Sequence, residues 1–168
     1  MDRWHPEIRT MRKIEDEIQT RKFYNGRHKA TINILFTSNW ITDILEKRAA
    51  IHKITLQQYN ILRILRGQYP APATNCLLRE RMLDKTPDVS RIVDRLVSKG
   101  LVSKTPSTSD RRAVDVLITP KGLDTLTDLE EHMLMMDVLQ ENITEAECEM
   151  LNNLLDKLRG HLPERIAN

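Results

Sequence analysis

The sequence predicts a mainly α-helical fold with one small β-hairpin. Apolar residues recur at helical spacing through most of the 168 residues, while aromatics make up 4% and glycines number 5, a balance that favours helix over sheet. Strand-like alternation is confined to two short runs, Leu101–Thr105 and Ala113–Thr119. Two capping boxes, Thr55-Leu56-Gln57-Gln58 and Thr144-x-x-Glu147, mark helix starts, because hydroxyl and Gln/Glu side chains at that spacing satisfy each other's exposed amides.

The elements follow in order. Residues 7–22 place Ile8, Met11, Ile14 and Ile18 on a narrow apolar stripe, as a peripheral helix does, with Asn25-Gly26 as its break. Residues 28–50 form a stronger helix, in which Ile32, Ile34, Leu35, Phe36, Trp40, Ile41, Ile44, Leu45 and Ala49 cover more than one face. Such a helix needs several burying surfaces, and a second copy of the chain can supply one. The helix opened by Thr55 runs through Tyr59, Leu62 and Leu65 to Gly67. Pro70 and Pro72 keep the next segment from being helical throughout. Thr74 or Asn75 then caps a short helix carrying Leu77, Leu78 and Met82.

A further helix is expected from Thr86 as N-cap, with Pro87 at its first position. Val89, Ile92, Val93, Leu96 and Val97 make its core stripe; Asp88, Arg91, Asp94, Arg95 and Ser98 point away, and Ser90 lies at the flank. Gly100 closes it with a residue that tolerates positive φ. After the hairpin, with Val114, Val116 and Ile118 on one face, Thr119-Pro120 opens a long helix through Leu123, Leu126, Met133, Met136 and Leu139. The last helix, from Thr144, is expected to pack Met150, Leu151, Leu154, Leu155, Leu158 and Leu162.

Three helices over 55–99 followed by a hairpin describe a winged helix-turn-helix, residues 55–119, flanked by residues 1–54 and 120–168 as the two parts of a helical dimerisation body. Arg91 and Arg95 stand one turn apart on the outer face of the third helix. An arginine fork matches the O6/N7 edge of guanine, and a helix fits the major groove. Ser90 can donate to a phosphate or base edge, whereas Asp88 near the helix start answers the helix dipole first. Asp110, Arg111 and Arg112 sit where the polar loop rejoins its second strand, placed for a minor groove, and Lys104 adds a phosphate contact. With Thr86, these residues form the expected DNA-facing set. Charge is divided accordingly: residues 1–75 carry 13 Lys/Arg against 7 Asp/Glu, residues 76–112 carry 9 against 5, and residues 113–168 carry 4 against 12. A polyanion is drawn to the first two parts and repelled by the third.

The run Val89-Ser90-Arg91-Ile92-Val93-Asp94-Arg95-Leu96, then Lys99-Gly100-Leu101-Val102, Asp110-Arg111-Arg112 and Leu117-Ile118-Thr119-Pro120-Lys121-Gly122, resembles the multiple-antibiotic-resistance regulator (MarR) family, most specifically over residues 55–135. The resemblance implies a triangular homodimer with interlocked terminal helices, and a repressor, sometimes an activator, released by a ligand or an oxidant. It matches Ser90, Arg91 and Arg95 to the recognition helix. It matches Asp110, Arg111 and Arg112 to the wing, with Arg112 entering the groove.

Other classes find little support. Cys76 and Cys148 have no metal-type spacing and suit a reducing compartment. Cys76 lies at the start of a short helix, where the dipole favours a thiolate and a redox sensor is possible, but a small buried residue is the favoured reading. Cys148, among Glu145, Glu147 and Glu149, is read as packing. His5, His28, His52, His132 and His161 show no ligand pattern, so neither metal nor cofactor is expected. No nucleophile or nucleotide-binding signature appears, which argues against an enzyme. No segment approaches the ~18 apolar residues of a membrane span, and the chain is expected in the cytoplasm. A small-molecule effector would meet Trp40, Tyr59 and His132 in a cleft between the dimer helices and the winged helix. The alternative is a winged helix used for protein interaction, without a DNA target.

Overall fold

A computed structural model describes residues 12–84, 88–107, 113–133 and 136–160. The chain divides into two compact units, Met1–Lys47 and Arg48–Asn168.

In the first unit, α1 is the single turn Ile14–Glu17. The long peripheral helix expected over 7–22 is thus, among the described residues, one turn only. Gln19 turns left-handed (φ 52°), and the Thr20 amide reaches back to the Glu15 carbonyl, so the helix is closed well before Asn25-Gly26. That dipeptide is a start rather than a break: Asn25 Oδ1 accepts from the His28 amide at 3.0 Å, and α2 (Gly26–Ile51) begins there. Glu15 holds Lys29 at 2.5 Å, and Lys29 also lies over the Phe23 ring. Hydrogen bonding to Lys29 keeps the Glu15 carboxyl below its ordinary pKa. A polar cleft of about 170 Å³ is walled by Arg12, Ile14, Asn33, Phe36, Thr37 and Trp40, among others.

The second unit opens with the end of α2. Lys53, at φ 58°, lets the amides of Lys53 and Ile54 return to the carbonyls of Ala50 and Ala49. The capping box at Thr55 and Gln58 then starts α3 (Leu56–Gln68). The two-residue strand β1 (Ala73–Thr74) precedes α4 (Asn75–Arg81), whose N-cap is Thr74. Next come α5 (Val89–Ser98), β2 (Val102–Pro106) and β3 (Val114–Ile118). The sheet is antiparallel in the order β1-β3-β2, with Lys104 opposite Val116 and Ala73 on the other side of it. The wing is therefore a three-stranded sheet, not a bare hairpin. Its small first strand pairs with a segment far along the chain, where local alternation gives no signal.

Ile61, Leu62, Leu65, Leu78, Met82, Val89, Val93, Leu96, Val116, Leu126 and Leu129 form the core. Val97, expected within the stripe, is 37% exposed, because its position turns toward the rim of α5. The chain continues as α6 (Pro120–Met133) and α7 (Met136–Asn142), and the Thr144–Glu147 capping box opens α8 (Glu145–Arg159). The residues between α6 and α7, part of the expected long helix, lie outside those described.

A tight joint links α5, β2 and α6. Gly100 ends α5 at φ 71°; Thr119 Oγ1 donates to its carbonyl at 2.8 Å and accepts from the Gly122 amide at 3.1 Å. A Cβ at Gly122 would stand 2.2 Å from the Leu101 carbonyl oxygen, so only glycine fits. On the far side of the core, Arg66 of α3 makes a bidentate pair with Glu130 of α6 at 3.2 and 2.9 Å.

The last helix, expected to pack its apolar stripe as part of a dimerisation body, is open in the single chain. No residue of α8 is buried, and Met150, Leu151, Leu154 and Leu158 are 63, 47, 59 and 66% exposed. Their stripe is the correct period for a helix but meets no partner in the second unit; Leu162 lies outside the described residues. On α2, Ile34 and Leu35 are also exposed. Among the described residues no helix is long and apolar enough to cross a membrane.

Candidate nucleic-acid interface

The sequence of α5 divides its surface cleanly. Val89, Ile92, Val93 and Leu96 recur at three- and four-residue intervals and are buried against the core. Ser90, Arg91, Asp94, Arg95 and Ser98 are exposed. The helix starts at Asp88, not at Thr86: Asp88 is extended and its carboxylate accepts from the Arg91 amide at 3.2 Å. Its carboxylate is thereby committed to the helix end, where a negative charge also meets the positive end of the dipole. Thr86 lies outside the described residues, as do Asp110, Arg111 and Arg112.

Two tertiary contacts set the polar face. Asn75, the first residue of α4, donates through Nδ2 to Ser90 Oγ at 3.0 Å. Lys104 of β2 reaches Asp94 Oδ1 at 2.5 Å. The expected phosphate-binding lysine is thus held by a carboxylate of α5. Arg91 and Arg95 have no side-chain hydrogen bond or ion pair among the described residues. With Asp94 paired to Lys104, two guanidinium charges one turn apart remain for an external partner. Arg79 and Arg81, in the last turn of α4, are also exposed.

Asn75 is the residue of this polar face that sequence reasoning did not place there. It was legible only as a possible cap, since its partner is 15 residues away on another helix. Cys76, read as packing, is exposed, with Sγ 3.6 Å from Glu80 Oε1; Cys148 is half-buried. Among the described residues no group of His, Cys, Asp and Glu could hold a metal ion.

The three effector candidates have different settings. Trp40, in the first unit, is half-buried in the wall of the polar cleft. Tyr59, in the second, is buried on α3 with the Arg63 guanidinium 5.9 Å from its ring centre. Burial raises its phenol pKa, against the opposing pull of Arg63 and Arg66. His132 presents an exposed ring near the end of α6, and its carbonyl accepts from Arg48 Nη1 at 2.5 Å.

Known proteins share both sequence and architecture. Residues 54–114, which include α3, β1, α4, α5 and β2 and end at the first residue of β3, match the MarR family. Through this segment the chain is similar to MarR-family transcriptional regulators. The chain is 25% identical over 119 residues to the HTH-type transcriptional regulator MhqR of Bacillus subtilis, covering 70% of this chain and 81% of that one. Its fold matches a cysteine-to-serine variant of MarR from E. coli complexed with operator DNA, at 27% identity and TM-score 0.70, covering 85% of this chain and 100% of that one. A MarR transcription factor from Planctomyces limnophilus matches at 28% identity and TM-score 0.61, covering 83% and 100%. The resemblance read from residues 89–122 and the mainly helical winged fold are both borne out.

Proposed function

We propose that the chain is a repressor that binds a pseudo-palindromic operator in double-stranded DNA as a homodimer. In this reading α5 enters the major groove, and the wing, through Asp110, Arg111 and Arg112, enters the minor groove. The observation that carries it is the pair Arg91 and Arg95, exposed one turn apart on α5 with no partner among the described residues. Free guanidinium groups on a groove-sized helix suit guanine edges and phosphates. The E. coli relative complexed with operator DNA supports the same use of this fold.

The homodimer reading is supported by the open apolar row on α8 and, in the first unit, by the exposed Ile34 and Leu35 of α2. Such rows need cover, and a second copy offers an identical set for two-fold pairing. Two recognition helices on one axis would read half-sites about one helical turn apart. A small-molecule effector releases the complex, with Trp40, Tyr59 and His132 as the residues proposed to respond to it. The chain works in the cytoplasm, where its duplex target lies.

The test is binding of the full chain to duplexes covering the region upstream of its own gene, followed by fluorescence anisotropy. Wild type is expected to bind one duplex selectively, and Arg91→Ala to lose that selectivity while sedimenting as wild type does. A wild-type chain that binds no duplex in preference to scrambled DNA overturns the proposal and favours a protein-interaction role.

A further inference from the structure

The contact between Asn75 and Ser90 carries an inference about base selection, and it rests on the reading of α5 as a groove-reading helix. Ser90 is exposed beside Arg91, and its Oγ accepts from Asn75 Nδ2 at 3.0 Å. Among the described residues, Asn75 Oδ1 is buried without a hydrogen-bond partner. A hydroxyl has one proton to give and two lone pairs to receive. With the amide donating onto its oxygen, the Ser90 proton points away from Asn75, on a residue that is exposed. The reversed amide would turn that proton inward and leave both protons of a buried NH2 group without an acceptor. Orphaned buried N–H groups are rarer than under-satisfied carbonyls, so the orientation with Oδ1 orphaned is the less costly one.

We infer that Asn75 is a positioning residue that fixes Ser90 as an outward hydrogen-bond donor. Ser90 then keeps a proton for acceptor edges in the major groove, such as purine N7, guanine O6 or thymine O4. Asn75 itself does not touch DNA; it sets which half of the Ser90 hydroxyl is offered.

The experiment uses the full chain and a random-sequence duplex pool. Wild type is first used to enrich a preferred site. The affinity ratio of that site over a scrambled duplex is then measured for wild type, Ser90→Ala, Asn75→Ala and the double variant. Each single change is expected to lower the ratio about three- to tenfold, the worth of one hydrogen bond, and the double change no further than Ser90→Ala alone. Asn75→Asp replaces the donor by an acceptor that draws the Ser90 proton inward. A carboxylate suits the first turn of α4, so this variant keeps the question open to test even if Asn75→Ala fails to fold. Its enriched site is expected to change at one position per half-site, from an acceptor edge toward an amino edge. Independent losses in the double variant, or an Asn75→Asp chain that enriches the wild-type site, would overturn the inference while leaving DNA binding intact. A wild-type chain that enriches no site overturns the DNA reading itself and this inference with it.

Discussion

Lys104 Nζ lies 2.5 Å from Asp94 Oδ1, joining β2 to the exposed face of α5. The pair neutralises the carboxylate closest in sequence to Arg95, and it occupies the lysine that the hairpin would otherwise offer to phosphate. Asp94→Asn is therefore expected to free Lys104 and raise affinity for DNA of any sequence, with the slope of log K against log salt steeper by about 0.9 per protomer. Stability should change by no more than ~1 kcal/mol, since the pair is largely exposed. Titration with scrambled duplex at several salt concentrations checks it; an unchanged slope would mean that Lys104 stays away from phosphate.

Arg91→Ala and Arg95→Ala are each expected to cost about 1–3 kcal/mol of binding to the preferred site and to relax preference at guanine positions. Arg112→Ala should weaken binding more evenly across sequences that share a narrow minor groove. For wild type, contact with ~4 phosphates per protomer of a dimer predicts a salt slope of about −7. Retained binding with a slope near zero would contradict the electrostatic part of the argument.

Leu154→Asp places a charge in the open row of α8, where Leu154 is 59% exposed. The chain should keep its helical content but sediment as a monomer, and lose affinity for a two-half-site duplex far more than for a single half-site. A dimer that survives this change together with Met150→Asp would assign the row to another partner.

Gly122→Ala drives a Cβ to 2.2 Å from the Leu101 carbonyl oxygen, which is backbone and cannot swing aside. Overpacking of this kind costs about 1–3 kcal/mol. Chemical denaturation should show it, whereas Gly67→Ala, with open space around the new methyl, should be neutral or slightly stabilising.

The Arg66 guanidinium, by hydrogen bonds first and charge second, holds the Glu130 carboxyl below its ordinary pKa. A depressed folded pKa means that the pair's contribution is present above the unfolded pKa of Glu130 and is lost as pH falls through the folded value. Glu130→Gln is expected to lower the denaturation midpoint at neutral pH. The gap to wild type should close below about pH 4. A constant gap across that range would assign the effect to packing.

Much of the architecture was legible because its signals are local. Thr55 with Gln58, and Thr144 with Glu147, form the reciprocal caps their spacing announces. The stripe from Val89 to Leu96 is buried as its period requires. What failed depended on distant partners or on competing signals. The Ala73–Thr74 strand exists only because β3 passes beside it. Two capping residues, Thr86 and Asp88, stand two positions apart, and Asp88 makes the cap. The leucines of α8 have core periodicity, yet periodicity does not say whether the core belongs to the same chain. At the interface, Arg91 and Arg95 could be read from one helix, while the Asn75–Ser90 and Lys104–Asp94 contacts needed the tertiary fold.

The Leu101 carbonyl accepts the Thr119 amide at 3.1 Å while crowding Gly122, and the Thr119 hydroxyl grips Gly100. Between the last turn of α5 and the first turn of α6 there is thus no slack for a hinge. Any twist of α6 about its own axis would drag the root of the wing and the tail of α5 with it, as a key turns its bit.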